Sequence, residues 1–227
     1  MNEIDEPIDE KRLRRFSMVQ LLVALTLLFV SAPFVEPIKG GGVILSLLFS
    51  LVLLSVVLAV ATRRGTLTVA LVLAIPAIAA RWINHLHPNP APEEIFLVAC
   101  IALVFFVVLN LLRFVLNASS VDLEVLCASI SAYLMLGLIW TMAYWLIALL
   151  NPDAFSFNVA TDAKQTMEGV NAFYFSFVTL STLGYGDITP VSGVARMLAA
   201  MESMTGLLYV AVLIARLVAL YSAPKNS

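Results

Sequence analysis

Residues Thr179-Leu-Ser-Thr-Leu-Gly-Tyr-Gly-Asp187 lie between two long apolar segments, and their types and spacing fit a chemistry of main-chain dipoles. A polar, Gly-rich break in apolar sequence is tolerated at membrane depth only where protein buries it or it lines a watery cavity. Gly184 and Gly186 permit backbone conformations that a Cβ penalises. Alternated with Leu183 and Tyr185, they let a short extended segment aim successive carbonyl oxygens the same way. Four such segments around one axis would make rings of oxygen able to replace the hydration shell of a potassium ion. This is passive chemistry, with no nucleophile and no general acid or base. No Ser/His/Asp grouping, phosphate-binding loop or paired-carboxylate spacing points to an enzyme, and no cofactor beyond a permeant ion is expected.

The elements that would position this segment follow from composition. The chain is 61% hydrophobic and 12% charged, with a mean hydropathy of +0.98, against about 25% charged residues in a soluble domain. An integral membrane protein is implied. A helix needs about 20 apolar residues to cross a bilayer, and six segments qualify: Phe16–Val35, Val43–Ala61, Thr66–Trp82, Ile95–Leu116, Glu124–Leu150 and Val194–Tyr221. Pro76 interrupts the third, which neighbouring membrane helices can accommodate. The first is longer than a signal peptide's apolar core and lacks a small-residue cleavage pattern, so it reads as a retained helix. Pro37 to Gly42, Arg63 to Gly65, His85 to Glu94 and Asn117 to Asp122 read as connections. With the N-terminus inside, nine of the thirteen basic residues fall on the cytoplasmic side, among them Arg12, Arg14, Arg63, Arg113 and Arg216. The same orientation makes the 179–187 segment re-enter from outside. The acidic leader Glu3–Glu10 and the basic run after it read as a disordered or interfacial tail, its basic half able to meet anionic lipid headgroups. No further stripe of basic residues points to nucleic acid, and Cys100 and Cys127 read as buried thiols.

At Thr182-Leu-Gly-Tyr-Gly186 the chain resembles the potassium-channel signature, usually Thr-Val-Gly-Tyr-Gly, and the resemblance covers about Glu124 to Tyr221. It implies an all-α membrane fold. Six transmembrane helices would carry a re-entrant pore helix, Gly169–Leu180, and a selectivity filter between the fifth and sixth, in a homotetramer. It further implies that the carbonyls of Thr182, Leu183, Gly184 and Tyr185, with the Thr182 hydroxyl, hold potassium ions. Gly186 closes the filter motif. Tyr185 would brace the filter, and Asp187 would concentrate cations at the mouth and hydrogen-bond into the pore helix. Tyr174 stands where the family often carries Trp and would serve as a donor. Leu183 departs from the usual Val, which leaves the carbonyl unchanged but bears on filter stability.

Gly206 lies where channels of this type bend the inner helix, and close helix packing explains a glycine there equally well. Leu207, Val210, Ile214 and Val218 follow at helical spacing and would line the conduit, with a dewetting constriction near Ile214–Tyr221. Glu202, a carboxylate within an apolar span, costs a few kcal/mol unless paired, protonated or hydrated. Its expected partners are Ser176, Thr179, Ser181 or a neighbouring subunit, in either a structural or a pH-sensing role.

The domains expected are a cytoplasmic tail (1–15), a four-helix bundle laid out like a voltage sensor (16–116), a linker (117–123), the pore domain (124–221) and a second cytoplasmic tail (222–227). Each gating charge is worth about 2.3 kcal/mol per 100 mV, and the fourth segment carries only Arg113. Weak or absent voltage gating is expected, with opening constitutive or set by lipid, tension, pH or an unidentified small ligand. With the sequence ending at Ser227, a cytoplasmic gating domain is not expected. His85 and His87, near Glu93 and Glu94, read as an external loop able to bind a metal but more simply solvated. The resemblance points to a potassium-selective channel of a cell's inner, plasma membrane, with both termini cytoplasmic. The alternatives are a less selective cation channel and a non-conducting regulatory subunit. No inverted repeat supports a transporter.

Overall fold

The computed structural model describes residues 8–35, 38, 41–60, 64–86, 90–158 and 165–222. Among them are seven helices: α1 (Ile8–Val35), α2 (Gly41–Val60), α3 (Arg64–Leu86), α4 (Pro90–Leu116), α5 (Leu123–Leu150), α6 (Gly169–Leu180) and α7 (Gly193–Ser222). Two three-residue strands, β1 (Phe155–Phe157) and β2 (Ile188–Pro190), pair antiparallel with Phe155 opposite Pro190. Stretches of α1, α4, α5 and α7 are long and apolar enough to cross a membrane: Ser17–Val35, Glu93–Leu116, Leu123–Leu150 and Gly193–Leu220. α2 and α3 supply shorter apolar runs, Leu47–Val57 and Thr66–Pro76. The run in α3 stops at its proline, and Arg81, Asn84 and His85 follow.

Several hydroxyls within these apolar helices are satisfied locally, whereas those of Ser17 and Ser131 are buried without a partner. Thr26, Ser129, Thr141 and Thr205 each donate to the carbonyl four residues back, at 2.7 to 2.8 Å. Such a bond leaves no polar atom facing hydrocarbon. α3 continues through Pro76 to Leu86, and α1 begins at Ile8, so part of the expected tail is helical. The expected loop between the third and fourth segments is much shorter than read, because α3 includes His85 and α4 takes up Glu93 and Glu94. His87 lies outside the described residues.

The main core joins α1 to α5. Leu21 and Leu25, Leu53 and Val56, Ala70, Leu97 and Leu103, and Ala128 and Met135 are fully buried in it. α4 packs most extensively on α5, its own chain's next helix. Only Asn117–Asp122 intervene, and Asp122 caps α5 by accepting from the Val125 amide at 2.9 Å. A smaller core gathers Tyr144, Phe155 and Phe175, whose rings meet edge to face at 4.9 to 5.7 Å. α1 reaches α6 directly: Phe29 lies 4.8 Å from Phe173 and 5.2 Å from Phe177. α7 is covered far less than the other long helices. Met197, Met204, Leu207 and Val218 are among its exposed residues.

Candidate functional site

The chain leaves α6 by turning its amides back and its carbonyls outward. The Thr182 amide donates to the Thr179 carbonyl at 2.9 Å, and the amides of Leu183 and Gly184 donate to the Val178 carbonyl at 2.9 and 3.3 Å. The last carbonyls of a helix lack partners within it, and here the following residues supply them. Positive φ recurs at every second residue: 61° at Thr182, 57° at Gly184 and 79° at Gly186. Alternating left- and right-handed residues is what points successive carbonyls the same way. Among the described residues no donor reaches the carbonyls of 182 to 185. Thr182 is the one described non-Gly residue with positive φ. Such a conformation in a β-branched residue costs of order 1–3 kcal/mol and persists only where the surroundings impose it.

Two sets of bonds fix the outer end of this segment. The Tyr174 hydroxyl, on α6, donates to Asp187 Oδ2 at 2.7 Å, and the Ile188 amide donates to Oδ1 at 3.0 Å. The Tyr174 and Tyr185 rings stack nearly parallel, 6.4 Å apart. Asn158 holds the other side: its Nδ2 donates to the Gly186 carbonyl at 2.8 Å and its amide to the Asp187 carbonyl at 2.7 Å. The β1–β2 pairing brings Asn158 there, so residues 151–158 brace the segment. Tyr174→Phe removes one bond to a carboxylate while keeping the ring. It is expected to cost about 1–2 kcal/mol per chain, measured as a lower Tm, with Tyr174→Trp losing less. An unchanged Tm for the Phe variant would assign the bond no role.

The inner side rests on Glu202. Its side chain is fully buried, and no basic group among the described residues pairs with it. The Tyr144 hydroxyl, on α5, donates to Glu202 Oε2 at 2.5 Å. Ser176 Oγ, on α6, lies 2.6 Å from Glu202 Oε1 and 2.8 Å from the Gly137 carbonyl. A serine has one hydroxyl proton, so it cannot donate to both acceptors. All three contacts close when the carboxyl carries its own proton and donates it to Ser176, which then donates to Gly137. Glu202 thus joins α5, α6 and α7, and on this count a neutral acid is the state expected of it. Of the three hydroxyls expected nearby, Ser176 makes the contact, whereas Ser181 turns back to the Phe177 carbonyl.

One turn further along both helices, Gly206 meets Leu180. A Cβ on Gly206 would overlap the Leu180 carbonyl oxygen and sit 3.0 Å from its carbonyl carbon and Cδ1. Gly137 admits the Phe177 ring in the same way, with a Cβ there falling 2.7 Å from ring carbon Cε2. Leu207, Val210, Ile214 and Val218 are all exposed, as are Met201, Met204, Leu208 and Val212, so exposure alone does not mark a conduit-lining face. Tyr144, Gly137 and Asn158 escaped the sequence reading. Tyr144 had a signal: a tyrosine in mid-span needs a partner for its hydroxyl, and Glu202 needs a donor.

Residues 131–223 match a family model described as "Ion channel". Two-pore potassium channel 2 of Arabidopsis thaliana is 38% identical over 91 residues, 40% of this chain and 18% of that protein. Two-pore potassium channel 3 of the same plant is 35% identical over 91 residues, again 40% and 18%. Two-pore potassium channel 4 is 45% identical over 49 residues, 22% of this chain and 17% of that protein. The chain thus spans less than a fifth of the length of these relatives. No solved structure matches it significantly.

Proposed function

We propose that the chain, whose residues 131–223 match an ion-channel family model and are similar to potassium-channel segments, is the pore-forming subunit of a potassium-selective channel. The observation that carries this reading is the run of carbonyls at 182–185 with no donor among the described residues, the amides of 182–184 turned inward to Val178 and Thr179. Oxygens so aimed can stand in for water around a dehydrated cation. One chain presents one edge of such a cage, so the working form is a homotetramer with potassium as the permeant ligand at Thr182, Leu183, Gly184 and Tyr185. The apolar, largely uncovered α7 supports assembly, since burying it needs neighbours.

In this reading α1 to α5 and α7 cross the membrane, α6 is the re-entrant pore helix and both termini face the cytoplasm of a cell's plasma membrane. The C-terminal end of α6 directs its partial negative charge to the ion path. Arg113 is the only basic residue of α4, which supports weak voltage dependence at most. Glu202, Asp187 and Tyr174 hold the filter, and Leu207, Val210, Ile214 and Val218 line the inner conduit.

The test is flux from liposomes containing the purified tetramer. Potassium is expected to leave at least tenfold faster than sodium, because fixed carbonyls discriminate between the two ions by their geometry and field strength. Leu183→Val, which changes no carbonyl, is expected to leave the ratio intact. Equal sodium flux, or a monomer in lipid, sinks the assignment.

A further inference from the structure

The half of α7 read as cytoplasmic carries a cation that meets no anion among the described residues. Arg216 is partly buried, and its Nη2 donates to the carbonyl of Ala118, in the short linker between α4 and α5, at 2.8 Å. Its Nε is fully buried and finds no acceptor. No carboxylate among the described residues pairs with this guanidinium. A charged side chain removed from water is costly unless an opposite charge or a full set of acceptors meets it, and one neutral carbonyl supplies neither.

Arg216 also closes one end of an apolar groove of about 340 Å³ between α4, α5 and α7. Leu116, Leu136, Leu208, Val212 and Leu213 form its walls. Arg113, exposed on the same last turn of α4 as Leu116, adds a second positive charge at that end of the helix. An apolar channel ending in a half-satisfied guanidinium complements a molecule with a hydrocarbon chain and an anionic head.

We infer that this groove is a binding site for an anionic phospholipid of the inner leaflet. One acyl chain lies along the α4–α7 wall, and a phosphate oxygen accepts from the exposed edge of the Arg216 guanidinium. Guanidinium–phosphate bonds are charge-assisted and about twice as strong as neutral ones, and juxtamembrane basic residues each draw anionic lipid by about 1 kcal/mol. Because Arg216 also holds Ala118, the lipid would tie the inner helix to the α4–α5 linker. The inference rests on the membrane reading above but not on conduction.

Native mass spectrometry of the detergent-purified full chain tests it, with added phosphatidylglycerol or phosphatidylcholine and with inorganic phosphate as the soluble control. Wild type is expected to retain phosphatidylglycerol over phosphatidylcholine, with Arg216→Gln weakening that retention about tenfold. Leu116→Trp, which fills the groove and leaves Arg216 in place, is expected to weaken it as well, and phosphate is not expected to compete at millimolar concentration. Equal retention of the two lipids, or retention unchanged in both variants, overturns the site. So does a neighbouring copy of α7 found seated in the groove. Selective retention by a protein that passes no potassium would keep the lipid site and discard the channel assignment.

Discussion

Glu202→Gln is expected to fold and assemble almost as the wild type does, whereas Glu202→Leu is expected to lose about 2–6 kcal/mol of stability per chain. The difference follows from the proton count at the three-helix junction. A neutral Glu202 accepts from Tyr144 through Oε2 and donates through Oε1 to Ser176. Glutamine reproduces both acts, its oxygen accepting and its amide nitrogen donating. Leucine does neither, so the Tyr144 hydroxyl is left buried beside hydrocarbon. An unsatisfied buried hydroxyl costs about 1–3 kcal/mol, and a branched side chain forced into a cavity shaped for a straight one adds about 1–3. Thermal unfolding in detergent would read both variants. Were Glu202 an anion, Gln would forfeit two charge-assisted bonds, each worth about 1.5–3 kcal/mol. It would then fall close to Leu. That result would remove the acid proton from the junction and leave Ser176 with two acceptors for one hydrogen.

Glu202 also shows how far the sequence was legible. A lone carboxyl in an apolar span demands donors, and the search for them pointed correctly toward the hydroxyls of 176–181. It fell short at Tyr144, which is 58 positions away in chain order. Which turn of α5 faces α7 depends on how the helices cross, and apolar sequence on every side of a helix leaves that open. α6 is legible to its end residues because polar Glu168 and Ser181 bound an aromatic run; for α1 and α4 the last residues Val35 and Leu116 are legible but the starts are not, and α3 extends beyond its apolar run at both ends. Ile8, Arg64 and Pro90 lie beyond the apolar stretches in each case, and hydropathy locates greasy residues rather than helical hydrogen bonds.

The segment at 182–187 was legible for a different reason: its information lies in the backbone. Two glycines two residues apart announce alternating handedness, and the structure extends the alternation to Thr182, whose positive φ no propensity forecasts. Asn158 was illegible. The three-residue β1–β2 pairing that delivers it to the Gly186 carbonyl is too short to leave a periodic pattern. What the sequence conveyed was therefore the chemistry of the exposed edge. The clamps behind it became visible only in three dimensions.

Gly206→Ala separates the two roles open to that glycine. Alanine favours a helix over glycine by about 1 kcal/mol, so a glycine serving only as a bend would yield a more stable protein with altered opening. The contact with Leu180 predicts the reverse. The added methyl overlaps a backbone oxygen, which cannot rotate aside as a side chain would. Relieving it requires α7 and the end of α6 to part by roughly 1 Å, given ordinary non-bonded separations. Overpacking of this kind costs about 1–3 kcal/mol or more in every chain. The displacement reaches the 182–184 segment directly, because Val178 and Thr179, just before Leu180, accept the amides of residues 182 to 184. The expected outcome is a lower Tm together with potassium flux reduced by tenfold or more. Leu180→Ala in the same chain should not rescue either quantity, since it removes Cδ1 and leaves the carbonyl in place. A raised Tm with flux lost only through changed opening would return Gly206 to a purely flexural role. The Glu202 junction, one turn away, would then be left as the link between inner helix and filter.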